Sequence, residues 1–130
     1  LIEMIEEEKK IYEKICILGD FNIAPSDMDV HDPKKWQDKV LCSTDERLLF
    51  ERLLEQDFFD SYRFIHEASK SFSWWDYRQA SFRRNIGLRI DHILLSNSLK
   101  TSLTEAGISK GPRKLEKPSD HAPCWVKIKL

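Results

Sequence analysis

Residues 87–96 read GLRIDHILLS, in which Ile93, Leu94 and Leu95 form an apolar run and Arg89, Asp91 and His92 stand at its mouth. The stretch from Arg89 to Ser96 predicts a strand, and apolar residues at successive positions predict that both of its faces are covered. Asp91, between Ile90 and Ile93, is expected to be at least partly buried, and a buried carboxylate is costly unless paired or hydrogen-bonded. It is either a structural aspartate satisfied by backbone N–H groups or an arginine, or part of a site. His92 is adjacent in the strand and therefore points to the opposite face, which makes it a poor partner for Asp91 and a structural or surface residue.

Further strands are expected at Ile15 to Leu18, Ser71 to Tyr77 and Ala122 to Leu130. The last alternates, with Ala122, Cys124, Val126 and Ile128 on one face and Trp125, Lys127 and Lys129 on the other. Residues 1–14 predict a helix with Ile2, Ile5, Tyr12 and Ile15 roughly along one face. It starts without a cap at Leu1, so the chain is expected to be a piece of something longer. Ser43 followed by Glu46 is a capping-box pattern opening a helix whose buried stripe would be Leu49, Phe50, Leu53 and Leu54. Pro25 to Trp36 is polar, holds two prolines and reads as a loop. The expected class is α/β (α+β): one mixed, mainly antiparallel sheet with helices on one face. Its other face is expected to need a partner layer that this segment does not supply.

At 130 residues, with 41% hydrophobic and 33% charged residues, the chain has the composition of a soluble globular domain. No run approaches the roughly 18 apolar residues of a membrane span, and the acidic start LIEMIEEEKK is unlike a secretory or organellar leader. Cys16, Cys42 and Cys124 lack metal-ligand spacing and predict reduced thiols in a cytoplasmic compartment. The net charge of -1 hides an asymmetry. Residues 1–60 hold 8 Lys/Arg against 16 Asp/Glu, and residues 61–130 hold 13 against 6. The basic half is either chance clustering or a surface for phosphates.

Four segments place polar groups where apolar runs begin or end, the usual position of a site on a layered scaffold. In GDFN, Asp20 and Asn22 would project to the same side of an extended backbone and could orient a water molecule, although Gly-Asp at a strand end is also a plain turn signal. Asp91 is the second. In KPSDHAP, residues 117–123, Asp120 is a hard oxygen ligand for Mg²⁺ or Mn²⁺, and His121 would touch phosphate or move a proton. The alternative there is a Ser-Asp turn with an exposed histidine. In SFSWWDYR, residues 71–78, Trp74 and Trp75 point to opposite sides, one inward and one outward, and an exposed aromatic could stack on a base or wedge into a gap. P-loop, dinucleotide, zinc and serine-hydrolase signatures are absent. The set that remains suits metal-assisted phosphodiester hydrolysis.

Together GDFNIAP, SWWDYR, GLRIDHILLS and KPSDHAP resemble, in order and interval, the endonuclease/exonuclease/phosphatase superfamily, and more closely its exonuclease III type of abasic-site endonuclease. The resemblance runs from about residue 15 to the end. It implies that residues 1–130 are the C-terminal half of a domain about twice as long, a four-layer sandwich of two sheets. It implies a DNA-repair phosphodiesterase, cytoplasmic and monomeric when complete, acting on double-stranded DNA at abasic sites and 3′ ends with Mg²⁺ or Mn²⁺. Asp20 and Asn22 would orient the attacking water, with Asp20 as base. Asp120 would sit at the metal, and His121, paired with Asp91, would contact the scissile phosphate. Trp74 and Leu88 would line the pocket for the abasic sugar, with Trp75 a further candidate. The family's first half supplies a metal-binding glutamate, an asparagine and a tyrosine that nothing here matches. Two rival expectations follow: an inactive remnant with at most weak DNA binding, or a phosphatase or ribonuclease of the same superfamily.

Overall fold

The computed structural model describes residues 1–115 and 117–130, with every side chain among them except that of Gln79. Its central strand is β5, Asp91–Ser96, flanked on one side by β1, Cys16–Asp20, and on the other by β2, Phe58–Asp60, both antiparallel to it. The side chains of β5 explain why it is central. Leu94 and Leu95 point to opposite faces, and both are fully buried. Leu94 packs with Ile5 of helix α1, Ile2–Lys9, and with Phe50 and Leu53 of helix α3, Thr44–Leu54. Leu95 packs with Phe59, Leu99 and Leu103, and Val126 and Ile128 lie against the same cluster. The expected α/β class, with helices on one face of the sheet, therefore holds.

Helix α3 begins where the capping box predicts. Glu46 N–H donates to Ser43 Oγ at 3.2 Å, and the Glu46 carboxylate accepts in return from Ser43. Its buried stripe is narrower than expected, because Phe50 and Leu53 are buried while Leu49 is about half exposed. Helix α1 stops at Lys9, short of residue 14. The Pro25–Trp36 stretch is not all loop, since it holds a 3₁₀ turn at Asp27–Asp29 and a one-turn helix, α2, at Pro33–Trp36.

Among the described residues the strands fall into three separate sheets rather than one. β3, Trp74–Trp75, pairs with β4, Gly87–Leu88, and β6, Leu103–Ile108, pairs with β7, Cys124–Ile128. The expected strand from Arg89 to Ser96 loses its first two residues for a clear reason. Arg89 N–H donates to Asp29 O at 2.9 Å, and the N–H groups of Ile90 and Asp91 both donate to Ser73 Oγ at 3.1 Å. Those donors cannot also serve a ladder, so the sheet breaks between Leu88 and Asp91. The expected strand over Ser71–Tyr77 shortens to two residues because Asp76 folds back to accept Arg78 N–H at 2.9 Å. In β7 the alternation is as expected, with Trp125 and Lys127 outward. Gly107 of β6 lies under Trp125, where a Cβ would come within 2.5 Å of the ring.

Partners across the β1–β5 ladder share a face, so Cys16 with Leu95, Leu18 with Ile93 and Asp20 with Asp91 all look the same way. The β6–β7 hairpin covers β5 on that face but leaves β1 bare. Leu18 is 67% exposed, and an apolar groove of about 810 Å³ runs along this edge past Ile17, Phe21 and Leu49.

Beside the sheet lies a buried ionic cluster. Arg89, 1% exposed, donates from Nε to Asp29 Oδ1 at 2.7 Å and from its two terminal nitrogens to Asp60 at 3.1 and 2.5 Å. Arg63 adds a second donor to Asp29 Oδ1 at 2.6 Å. Burial alone would push the Asp60 carboxyl up, but the charge and hydrogen bonds of Arg89 outweigh it and hold the group below its ordinary value. Removing one partner of such a cluster strands the other charges, which costs about 3–5 kcal/mol. Arg89→Met is therefore expected to destabilise the fold by that order in urea unfolding, and a change below about 1 kcal/mol would show that the cluster is dispensable.

Candidate active site

β1 ends and β5 begins with the same residue type, because Asp20 and Asp91 are direct cross-strand partners on the incompletely covered face. Like charges opposite one another destabilise a sheet. His121 lies between them. Its Nδ1 is 2.8 Å from Asp91 Oδ2, and its Nε2 is 3.7 Å from Asp20 Oδ2 and 4.0 Å from Asp120 Oδ1. With Nδ1–H donating to Asp91, Nε2 is left facing a gap between two carboxylates that is too wide for direct bonds and suits a water or a phosphate oxygen. Ligand atoms of Asp20, Asp91 and His121 all lie within 4.8 Å of one another. They open on a cleft of about 360 Å³ whose apolar wall includes Leu18, Ile93 and Cys124.

Asp120 and His121 are presented by a turn pinned at several points. Trp75 N–H donates to Asp120 O at 3.1 Å, Ala122 N–H to Ser73 O at 2.8 Å, and His121 N–H to Ser119 Oγ at 3.1 Å. Trp74 Nε1–H donates to Asp120 Oδ2 at 3.0 Å, leaving Oδ1 directed toward His121. The turn therefore lets neighbouring aspartate and histidine reach one cleft. Asp20, Asp91, Asp120 and His121 meet at one end of the sheet, and Asn22 reaches it only through its backbone. It has φ 54°, so the extended geometry assumed for Asp20 and Asn22 is broken. Its backbone N–H donates to Asp20 Oδ1 at 2.9 Å, while its side chain is exposed and, among the described residues, makes no hydrogen bond.

Trp74 and Leu88 face each other across the β3–β4 ladder and line a pocket of about 290 Å³ with His31, Lys35, Trp36 and Arg78. Trp75 points the other way into the core, fully buried against Phe72 and Ala122, which removes it from the pocket.

Sequence reasoning missed what holds the Asp20 turn. His92 Nε2 lies 2.7 Å from Ile23 O and its Nδ1 lies 3.3 Å from the Arg89 guanidinium. Since the guanidinium only donates, Nδ1 accepts and Nε2–H donates to Ile23. The ionic cluster thus reaches through one imidazole to the loop that follows Asp20. Burial, reinforced by the charge of Arg89, lowers the His92 pKa to about 4. The sign of an arginine beside an aspartate was visible in LRID; its partners, 60 and 29 residues away, were not.

Comparison with known proteins shows the family. Residues 5–121 match the model of the Endonuclease/Exonuclease/phosphatase family. Exodeoxyribonuclease III of Haemophilus influenzae is 41% identical over 99% of this chain, which covers 51% of that protein. The structure of a 3′ phosphatase from Neisseria bound to a product DNA hairpin has a TM-score of 0.96 at 42% identity, over 98% of this chain and 50% of its own. An AP endonuclease from Archaeoglobus fulgidus has a TM-score of 0.89 at 29% identity, over 99% of this chain and 52% of its own. The chain spans about half the length of these relatives.

The His92 contact makes stability pH-dependent in a defined direction. The unfolded chain binds a proton near the ordinary value of 6.5, whereas the folded one resists it down to about 4. Stability from this group is therefore fully present above that ordinary value and is lost as pH falls toward 4, by on the order of 3 kcal/mol. Urea midpoints at pH 7.5 and 4.5 should differ accordingly, and His92→Gln should flatten the difference. Equal slopes in both proteins would assign it to other groups.

Proposed function

The chain belongs to the endonuclease/exonuclease/phosphatase family, and from that premise we propose that residues 1–130 form the C-terminal half of a DNA-repair phosphodiesterase of exonuclease III type. The observation that carries the reading is the cross-strand pair of Asp20 and Asp91 with His121 held between them. A carboxylate fixing one imidazole nitrogen so that the other meets substrate is a recurring way to orient a histidine for proton transfer or for a developing oxyanion. Asp91 fixes the His121 ring, and His121 Nε2 contacts the scissile phosphate. Asp20 takes the proton of the attacking water, with Asn22 helping to orient that water from the left-handed turn. Trp74 and Leu88 line the pocket that takes the sugar at an abasic site.

The donor set suits a hard divalent cation, since Asp20, Asp91 and Asp120 offer oxygen and one oxygen of Asp120 is already anchored by Trp74. Mg²⁺ or Mn²⁺ would be held at Asp120, where it would neutralise charge on the phosphate. The substrate is double-stranded DNA carrying abasic sites or 3′ ends. Support comes from two cationic segments, Arg78 to Arg84 and Lys110 to Lys114, which approach each other where Arg113 packs on Phe82. Among the described residues no helix is long and apolar enough to cross a membrane, and all three cysteines are free. By its resemblance to the exonuclease III type, the complete protein is proposed to be a cytoplasmic monomer.

Half a domain is not a whole enzyme, and the bare Leu18 edge favours a second outcome for this chain alone, an inactive segment. Purified residues 1–130 are expected not to incise abasic duplex DNA in Mg²⁺. Joining or adding an upstream half should restore incision, Asp20→Ala should abolish it, and His121→Ala should lower turnover by about 10²–10⁴-fold. Unchanged turnover in His121→Ala would assign the histidine to structure. Robust incision by the isolated chain, lost in its own Asp20→Ala variant, would make the upstream half dispensable.

A further inference from the structure

Arg113 is only 7% exposed and sits among three aromatic rings. Its guanidinium carbon is 4.6 Å from the centre of Phe82, 5.7 Å from Trp75 and 5.7 Å from Tyr77. Trp75 and Phe82 are themselves locked edge to face at 4.9 Å, and Trp75 Nε1–H donates to Asn85 Oδ1. Among the described residues Arg113 has no carboxylate partner, and its Nε is buried without an acceptor. Burying a cation this way is expensive, and aromatic faces offset only part of the cost, about 2 kcal/mol or more for a desolvated contact.

One hydrogen bond gives the arrangement its purpose. Arg113 donates from a terminal nitrogen to Ser119 O at 2.6 Å, while Tyr77 Oη–H donates to Pro118 O at 2.8 Å. Two successive carbonyls are therefore held from the aromatic cluster, and the next two residues are Asp120 and His121. Trp75 and Ser73 pin the same turn from its strand side. A guanidinium packs its carbon against rings while its nitrogens donate, whereas a lysine ammonium keeps a donor but loses the planar contact.

We infer that Arg113, clasped by Phe82, Trp75 and Tyr77, is a positioning residue that holds the Pro118–Ser119 turn so that Asp120 and His121 face Asp20 and Asp91. This rests on the function proposed above. It touches no reacting group itself; it acts through the turn. A displacement of about 1 Å at a reacting group can reduce rate by up to about 10²-fold.

The test uses the complete protein, this chain joined to its upstream half. Arg113→Met keeps bulk in the cage and removes the donor. It is expected to lower kcat at least about 10-fold, with affinity for abasic duplex, measured in EDTA, changed less than about twofold. Arg113→Lys should recover part of kcat. The imidazole ¹⁵N spectrum of neutral His121 should change from one fixed Nδ1–H tautomer to an average of two. A kcat that falls only with the folded fraction, with the His121 spectrum unchanged, would reduce Arg113 to a packing role and overturn the inference. So would weakened DNA affinity at unchanged kcat, the mark of a DNA contact. If Arg113→Met does not fold, Tyr77→Phe, which removes only the hydroxyl on Pro118 O, should shift the same spectrum and kcat in the same direction. No shift in either would count against the clamp. Failure of the unmutated protein to cleave DNA would sink the proposed function, while the His121 spectrum would still decide the role of Arg113.

Discussion

Arg89 carries a positive charge into the interior, where it is 1% exposed, and the surrounding chain is arranged to satisfy it. Its side chain calls in Asp29 from the segment after β1 and Asp60 from the end of β2, and it meets the ring of Tyr62 at 5.1 Å. Its backbone N–H meets Asp29 again, through the carbonyl. Because those demands take Arg89 out of any ladder, β5 opens at Asp91 and not two residues earlier. That fixes Asp91 opposite Asp20. The same guanidinium settles the tautomer of His92, which in turn holds Ile23 and the loop after Asp20. A buried ion pair of this kind is weak proof of stability. Its clearer effect here is registration, since four separated segments can be satisfied together in only one alignment.

The site obeys different electrostatics. Asp20, Asp120 and His121 keep between about a third and two-fifths of their side-chain surface open, whereas Asp91 is more enclosed. Screening by water softens the repulsion between the two cross-strand carboxylates and leaves room for a charged polymer to approach. The rigid part lies behind this opening, in Asp91, Ser73 and the pinned turn. An open mouth with a pinned back is a workable division for a group that must meet a large substrate without losing its orientation.

Much of this was legible in the sequence because local rules and chemistry pointed the same way. GDFN, GLRID and KPSDHAP each placed a polar group at the end of an apolar run, and those ends converge. Asn22 was misread because period-two reasoning assumes extended backbone, and a left-handed residue breaks the period. β6 escaped notice because LTEAGI mixes exposed polar residues with a glycine kept small by Trp125, so neither alternation nor apolar content marks it. β2, at three residues, is too short to show a pattern. Arg89 and Arg113 were opaque for a different reason. Their partners are set by tertiary folding, and a lone arginine in sequence does not say whether it faces solvent, phosphate or a ring.

β1 is an edge strand of its sheet, and among the described residues no strand pairs with its outer side, beside which Leu18 is exposed. Such an edge does not discriminate strongly between a strand from a proper partner and a strand from a second copy of itself. Capture of a partner and self-association therefore compete for one surface, and their ratio shifts with concentration. At a fixed concentration of partner, dilution of this chain favours the correct encounter, because self-pairing is second order in this chain and capture is first order in it. Light scattering across a dilution series, with and without a complementing segment, would resolve the two as separate orders. A half-built sheet of this kind has a working concentration range as well as a stability.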